Sequence, residues 1–143
     1  MTTWCRTTGL AAVLALTAFA AQAQITLKLA HPVPEADLQQ NLAVEFKRVL
    51  EEKTGGEITV QIFPNGQLGN DQQMIDGTRS GIIDVTLIGL NNYTGLVPEA
   101  GAFELPFIFP TREVAYKVLD GAPGQAVATQ METHGLKLLG YGE

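Results

Sequence analysis

The chain has 143 residues, of which 45% are hydrophobic and 17% are charged, and this balance is ordinary for a globular protein. Its length fits one domain, or one lobe of a larger protein. The 15 acidic residues outnumber the 9 basic ones, and no basic cluster follows residue 24, which argues against a nucleic-acid partner or an anionic membrane surface.

The first 23 residues have the pattern of a cleavable secretory signal peptide. Arg6 is the only charged residue before Lys28, and an apolar run over residues 10–20 follows it. Ala21-Gln22-Ala23 then matches the A-x-A cleavage motif, which predicts a cut after Ala23. The alternative is an uncleaved anchor, but a membrane-spanning helix needs about 20 apolar residues and this run is shorter.

Cleavage after Ala23 would leave an exported chain without cysteine. The only cysteine, Cys5, lies before the apolar run, whereas a lipid-attachment cysteine would lie just after it. Removal of residues 1–23 takes away Arg6 and no acid, which leaves 8 basic and 15 acidic residues and a net charge of −7. With no disulfide available, the stability of the mature chain must come from a packed core.

Strands and helices alternate through the first half of the mature sequence. Residues 25–30 and 57–62 alternate apolar and polar, and the mostly apolar run 82–88 predicts a strand buried on both faces. Between them we predict a helix that begins near 35–37 and ends at Gly55-Gly56, and a short helix over 71–79. This order indicates a mostly parallel sheet flanked by helices.

The second half begins with a loop over residues 89–98 and a short helix over 98–102. The apolar run 103–110 holds two prolines, so it should be extended without being a central strand. Thr111 is a suitable N-cap for a helix through Asp120, and Pro123 suits the first turn of a helix that ends at Gly135. Residues 136–141 predict one more strand, and its closeness to the last residue indicates that the sequence stops partway through the fold.

The mature sequence contains no residue set that is typical of an enzyme. Only His31 and His134 could titrate near neutral pH; His134 falls at a predicted helix end, and His31 fits either a pocket or a plain surface role. Neither a zinc-ligand spacing nor a P-loop nor a G-x-G-x-x-G motif occurs. We therefore predict no catalytic residue, no metal and no cofactor.

Three loops should instead meet at the carboxyl edge of the sheet, where open α/β sheets bind ligands. They cover residues 31–37, 66–71 and 89–93, and they offer an imidazole, Asn side chains, a phenol and backbone amides at helix N-termini. This combination predicts a pocket for a small polar or anionic solute. The candidate ligand-binding residues are His31, Glu35, Asp71, Gly89, Asn91, Asn92 and Tyr93.

Seven short segments, spread over residues 25–143, carry a family resemblance. They cover residues 27–31, 46–56, 63–69, 81–85, 97–99, 105–109 and 135–141. The most specific is Phe-Pro-Asn-Gly-Gln-Leu-Gly at 63–69, which follows a strand introduced by Gly-Gly-x-Ile. On these segments the sequence resembles the start of a TRAP-type, DctP-like extracytoplasmic solute-binding protein.

The resemblance implies an α/β fold of the periplasmic binding protein type (type II), with two lobes around a cleft. Residues 24–143 would form the N-terminal lobe, truncated before the second lobe. The implied function is to capture a small carboxylate-bearing solute, such as a C4-dicarboxylate or related organic acid, and to deliver it to the membrane permease subunits of an ion-driven TRAP transporter. The alternatives are an exported binding or sensor protein of the same fold that serves an ABC importer or a receptor and, less favoured, an exported α/β enzyme.

The resemblance also implies roles for individual residues. His31 sits where the first loop of the family lines the cleft, Asp71 matches an acidic position that faces polar ligands, and residues 89–93 match a second ligand-facing loop. The arginine that clamps the carboxylate in this family lies in a later Gly-Leu-Lys-x-Arg-like stretch, which this sequence does not reach. Arg48, Arg79 and Arg112 do not match that motif, so the main partner of a carboxylate would be missing from this piece.

Overall fold

A parallel three-stranded sheet with helices on both faces forms the centre of the computed structural model, which describes residues 24–142. The strand order is β2-β1-β3. The elements are β1 (Ile25–Ala30), α1 (Leu38–Lys53), β2 (Ile58–Phe63), α2 (Asp71–Arg79), β3 (Val85–Thr86), two 3₁₀ helices (Leu90–Tyr93 and Pro98–Glu104), α3 (Arg112–Leu119) and α4 (Ala122–Thr133). The predicted α/β class with a parallel sheet is confirmed, whereas the predicted signal peptide lies outside the described residues.

Helix α1 covers one face of the sheet. Its start is set by Asp37, whose carboxylate accepts the backbone N–H of Gln39 at 3.1 Å, and its end by Gly55 and Gly56, which both have left-handed φ angles. These ends agree with the predicted ones. The core on this face consists of Leu27, Leu29, Ala43, Phe46, Leu50, Val60, Ile62, Val85 and Leu87.

The side chains of Lys47 and Glu51 connect α1 to β2. The Lys47 ammonium donates to the Glu51 carboxylate at 2.7 Å and to the Val60 carbonyl at 2.6 Å. The same carboxylate accepts the backbone N–H of Val60 at 2.9 Å. Chiefly because of the Lys47 hydrogen bond, and then because of the Val60 N–H, the pKa of Glu51 lies below its ordinary value.

We expect Lys47→Ala to raise the pKa of Glu51 toward the ordinary value of about 4.3. A lowered folded-state pKa contributes stability that is present above the unfolded pKa and is lost as the pH falls through the folded one. The variant should therefore lose this contribution at a higher pH than the wild type. Carbon-detected NMR titration of the Glu51 carboxylate measures the shift, with Arg48→Ala as the control on the same helix. An unchanged Glu51 pKa in Lys47→Ala would contradict the assigned cause.

Helix α2 packs on the opposite face of the sheet and begins with a capping box. Asn70 accepts the backbone N–H of Gln73 at 2.9 Å, and the Gln73 side chain accepts the N–H of Asn70 at 2.9 Å. The predicted N-cap and helix are thus confirmed. Buried Met74 contacts Ala30 and Ile83 on this side of the sheet.

A second core lies between α2 and α4 and includes both 3₁₀ helices. Its buried residues are Ile75, Tyr93, Val97, Ala100, Val127, Met131 and Leu136. The guanidinium of Arg79 donates to the carbonyl of His134 at 2.9 Å, so the C-terminal ends of α2 and α4 are joined. This packing holds the loop that follows β3 against α2. Within residues 24–142, no helix combines the length and the apolar character needed to cross a bilayer.

In the second half of the chain, the predicted start of α3 and the predicted end of α4 are confirmed. Thr111 accepts the N–H of Val114 at 3.3 Å at the start of α3, and α4 ends before Gly135, which has a left-handed φ of 79°. The short helix predicted over 98–102 is the 3₁₀ helix Pro98–Glu104. The run predicted as extended, 103–110, starts inside that helix and contributes no strand to the sheet.

The predicted strand over 82–88 is much shorter than expected. The N–H groups of Ile82 and Ile83 both donate to the Gly77 carbonyl, so these residues complete the turn that leaves α2. Asp84 then uses its carboxylate to accept the N–H of Lys28 at 2.7 Å. Only Val85–Thr86 remain in the sheet, and they are half-buried where burial on both faces was predicted.

The strand predicted over 136–141 is wrong, because this segment joins none of the three described strands. Leu136 is buried in the second core. The Tyr141 hydroxyl donates to the Gly124 carbonyl at 2.9 Å, and its ring meets Phe103 edge-to-face at 6.3 Å. Side-chain contacts with α4 and its surroundings therefore hold the segment in place of a backbone ladder.

Candidate functional site

The three strands end at one edge of the sheet, and backbone hydrogen bonds join the loops that follow them. The N–H groups of Asn65 and Gly66 donate to the carbonyls of Val33 and His31 at 3.0 and 3.1 Å. Asn65 and Gly66 both have left-handed φ angles, 56° and 63°, which Asn and Gly tolerate better than other residues. The loops after β1 and β2 therefore begin side by side, as the topology predicts.

Asp71 and Tyr93 are two polar residues at this edge, the first half-buried and the second buried. Asp71 is half-buried at the first position of α2, where backbone N–H groups favour a negative charge. The Tyr93 side chain is 9% exposed, and its hydroxyl lies 3.3 Å from that of Thr86. Burial raises the pKa of Tyr93, the Thr86 hydroxyl lowers it, and the Asp71 charge raises it further. The phenol thus stays protonated at neutral pH, and this edge carries both a phenol hydroxyl and the carboxyl group of Asp71.

The loop Gly89–Tyr93 contains two asparagines, and the side-chain amide of Asn92 forms a hydrogen bond within the loop. Asn92 donates its backbone N–H at 3.0 Å and its side-chain amide at 3.4 Å to the Gly89 carbonyl. The Asn91 side chain is exposed at the tip of the same turn. The structure therefore groups Gly89, Asn91 and Asn92 with Tyr93, and the exposed Asn91 side chain keeps its amide oxygen close to Gly89.

His31 does not have the plain surface role that the sequence left open. It is 0% exposed, and its Nε2 lies 2.7 Å from Oε1 of Gln40 on α1, whereas its Nδ1 has no partner among the described residues. Glu35, in contrast, is exposed in the loop before α1. The seven predicted residues thus occur along one edge, but His31 lies beneath the surface while Glu35 lies on it.

Two residues near the site were missed by the sequence analysis. Thr86 was counted as a strand residue, although its hydroxyl bridges Tyr93 and, at 3.5 Å, Thr78 of α2. Gln40 was assigned no role, although it is the partner of His31. The polar Thr86 within the apolar run 82–88 was the only sequence signal that could have found either of them.

Two cavities adjoin the sheet. One of about 630 Å³ is lined by residues of β1, α2 and the turn after it, and also by Phe63 at the end of β2 and Leu68 in the loop that follows. One of about 420 Å³ lies beside β2 and Lys47. None of the seven predicted residues lines either cavity. No group of three or more His, Cys, Asp or Glu side chains within residues 24–142 is arranged to hold a metal ion.

A parallel α/β sheet with polar loops gathered at its carboxyl edge defines a ligand-binding architecture. The pattern of the bacterial extracellular solute-binding proteins, family 7 (DctP), matches residues 29–143 of the chain. The chain therefore belongs to this family, and the resemblance predicted from its motifs is confirmed.

Named relatives of the chain are solute-binding proteins. The 2,3-diketo-L-gulonate-binding periplasmic protein YiaO of Escherichia coli is 38% identical over 118 residues, which are 82% of this chain and 36% of the relative. A TRAP periplasmic solute-binding protein from Ochrobactrum anthropi is 31% identical with a TM-score of 0.78, covering 83% of this chain and 37% of that one. Another, from Sulfurospirillum deleyianum with bound succinate, is 33% identical with a TM-score of 0.71, covering 78% and 36%.

These comparisons extend over only part of each relative. The chain spans little more than a third of the length of the relatives it matches. The match supports the family, the α/β fold and the class of solute-binding proteins for residues 24–142. The relatives also place the family outside the cytoplasm, since YiaO and both solved proteins are described as periplasmic.

Proposed function

We propose that the chain forms the N-terminal lobe of the periplasmic solute-binding component of a TRAP-type transporter. In this role it is exported with cleavage after Ala23, captures a small carboxylate-bearing solute without catalysing a reaction, and helps to deliver it to membrane permease subunits. The observation that carries the proposal is the polar edge formed by Asp71, Tyr93 and Asn91 in a chain of this family.

The charges at this edge suggest which part of the solute it contacts. The loops 31–37, 66–71 and 89–93 contain no Lys or Arg, whereas they contain Glu35, Asp37 and Asp71. Acidic and neutral polar groups suit hydroxyl and keto groups better than a carboxylate, whose natural partner is a guanidinium. The loops of this lobe would therefore hold the neutral polar part of an organic acid, and cationic groups elsewhere in the cleft would hold its carboxylate.

An NMR titration of the isotope-labelled chain with L-gulonate and with succinate tests this capture role. We expect saturable amide shifts in the loops 66–71 and 89–93, larger with L-gulonate because succinate has no hydroxyl groups. Sodium chloride at matched ionic strength is the control. The absence of saturable shifts with either acid would overturn the binding role of these loops. Genes for a small and a large membrane subunit beside the coding gene would favour a TRAP transporter over an ABC importer or a receptor.

We expect Asp71→Ala to weaken L-gulonate binding roughly tenfold or more, since a hydrogen bond to a charged group contributes about 1.5–3 kcal/mol. The melting temperature should change little, because Asp71 is half-buried and fills no core position. The pKa of Tyr93 should fall, because the Asp71 charge raises it in the wild type. Asp76→Ala, an exposed acid on the same helix, is the matched control. Equal affinity in the Asp71 and Asp76 variants would rule out the proposed role of Asp71.

A further inference from the structure

Strand β2 forms one edge of the sheet, and its register shows which of its backbone groups face outward. The N–H of Ile25 donates to the Glu57 carbonyl and that of His31 to the Phe63 carbonyl. Because outward and inward groups alternate along a strand, the backbone groups of Ile58, Val60 and Ile62 point away from β1. An edge of this kind is a template on which another strand can pair.

Side chains of α1 and of its C-cap residue hydrogen-bond to the outward backbone groups of Ile58 and Val60. Glu51 accepts the N–H of Val60 at 2.9 Å, and Lys47 donates to the Val60 carbonyl at 2.6 Å. Two residues earlier, the hydroxyl of Thr54 accepts the N–H of Ile58 at 3.3 Å while it donates to the Leu50 carbonyl at 2.8 Å. The edge of β2 is therefore hydrogen-bonded along its first half, although none of the other described strands lies on this side of it.

The contacts differ from an ordinary helix ion pair. Arg48 on the same helix pairs with Glu45 and Glu52 at 2.6 and 2.8 Å, and both acids are exposed. Lys47 and Glu51 also pair at i,i+4, but both side chains reach the strand as well. Glu51 accepts the backbone N–H of Val60, and Lys47 donates to the carbonyl of the same residue. They reproduce the donor and acceptor that a neighbouring strand would present.

We propose that Lys47, Glu51 and Thr54 form an edge guard that prevents a second copy of the chain from pairing with β2. Two β2 edges could otherwise pair antiparallel across a two-fold axis, which is the usual symmetry of homodimers. The guard fills the required backbone groups from within the same chain, so strand addition would first have to displace three side chains.

Sedimentation velocity of the purified chain over a range of concentrations tests the guard. We expect the double variant Lys47→Ala/Glu51→Ala to associate at concentrations at which the wild type does not. The double variant Arg48→Ala/Glu52→Ala, which removes a comparable ion pair from the same helix, should behave like the wild type. In the guard variant, hydrogen exchange at the amides of Ile58 and Val60 should slow as the concentration rises, because pairing would bury them.

Glu51→Gln and Glu51→Ala separate the hydrogen bond from the charge. The glutamine oxygen can still accept the Val60 N–H, so Glu51→Gln should stay unassociated, whereas Glu51→Ala should associate with concentration-dependent protection of Val60. If the double variant Lys47→Ala/Glu51→Ala does not fold cooperatively, these single variants still test whether loss of the Glu51 hydrogen bond allows the chain to associate. The proposal is overturned if the guard variants sediment like the control, or if they associate without added protection at Ile58 and Val60.

Discussion

Gly124→Ala is expected to destabilise the protein by about 3 kcal/mol, at the upper end of what overpacking costs. Gly124 is buried in the first turn of α4, and a Cβ atom there would lie 1.7 Å from the Leu119 carbonyl oxygen and 2.6 Å from its carbon. These are backbone atoms at the end of α3, so no side-chain rotation can relieve the overlap. The two helices would have to move apart, and the hydrogen bond from Tyr141 to the Gly124 carbonyl would be disturbed.

The sign of this effect separates packing from helix propensity. Propensity alone predicts that alanine would stabilise a helical position by about 1 kcal/mol relative to glycine. Thermal and urea unfolding should instead show a loss, with a melting temperature lower by roughly 10 °C for a chain of this size. Gly95→Ala is the control, because a Cβ there meets nothing within 4 Å and Gly95 has no left-handed φ. A Gly124→Ala variant as stable as the wild type would show that α3 and α4 do not approach this closely.

Replacement of Ala23 by arginine is expected to cause a near-complete loss of signal-peptide processing. A cleavage site of the A-x-A type requires small residues at its first and third positions, and a long cationic side chain does not fit there. Intact mass spectrometry of the wild-type protein from the periplasmic fraction should give a chain that begins at Gln24. The Ala23→Arg variant should keep its first 23 residues and stay with the membrane fraction.

Gln22→Leu is the matched control for this experiment, because the middle position of the motif is unrestricted. It should be processed like the wild type. A wild-type chain that retains residues 1–23 would contradict export by cleavage, and a start at another residue would contradict the position of the site. Either result would leave the solute-binding measurements on the folded part of the chain unaffected.

Local signals predicted the helices well, because the residues that end a helix act within a few positions of it. Asn70 and Gln73 satisfy each other across three residues, and Gly55 allows the left-handed turn that stops α1. Strands depend on partners that are distant in sequence. The apolar alternation of 136–141 therefore predicted a strand, although its side chains pack against α4 and Phe103 and its backbone pairs with none of the described strands.

The sequence predicted where the site lies in the fold, but it did not predict which side chains contact each other there. Parallel topology alone places the loops after β1, β2 and β3 at one edge, which brought Asp71 and Tyr93 into consideration. The burial of His31 and its bond to Gln40 depend on how α1 lies against β1, which no local pattern encodes. The hydroxyl contact between Thr86 and Tyr93 likewise exists only once the loop has folded back.

The hydrogen bonds from Asn65 and Gly66 to Val33 and His31 have a mechanical consequence. The first two loops cannot separate without breaking these bonds, so they form one stiff wall of the site. The segment after β3 is joined to β1 by a separate bond at its beginning, where the Leu87 N–H donates to the Ala30 carbonyl at 3.0 Å. The Gly89–Tyr93 turn is held by a different set of contacts, because Tyr93 is buried in the second core and its hydroxyl lies 3.3 Å from that of Thr86. The walls of the site are therefore anchored independently, one by the backbone of its neighbour and the other by a side chain in the core.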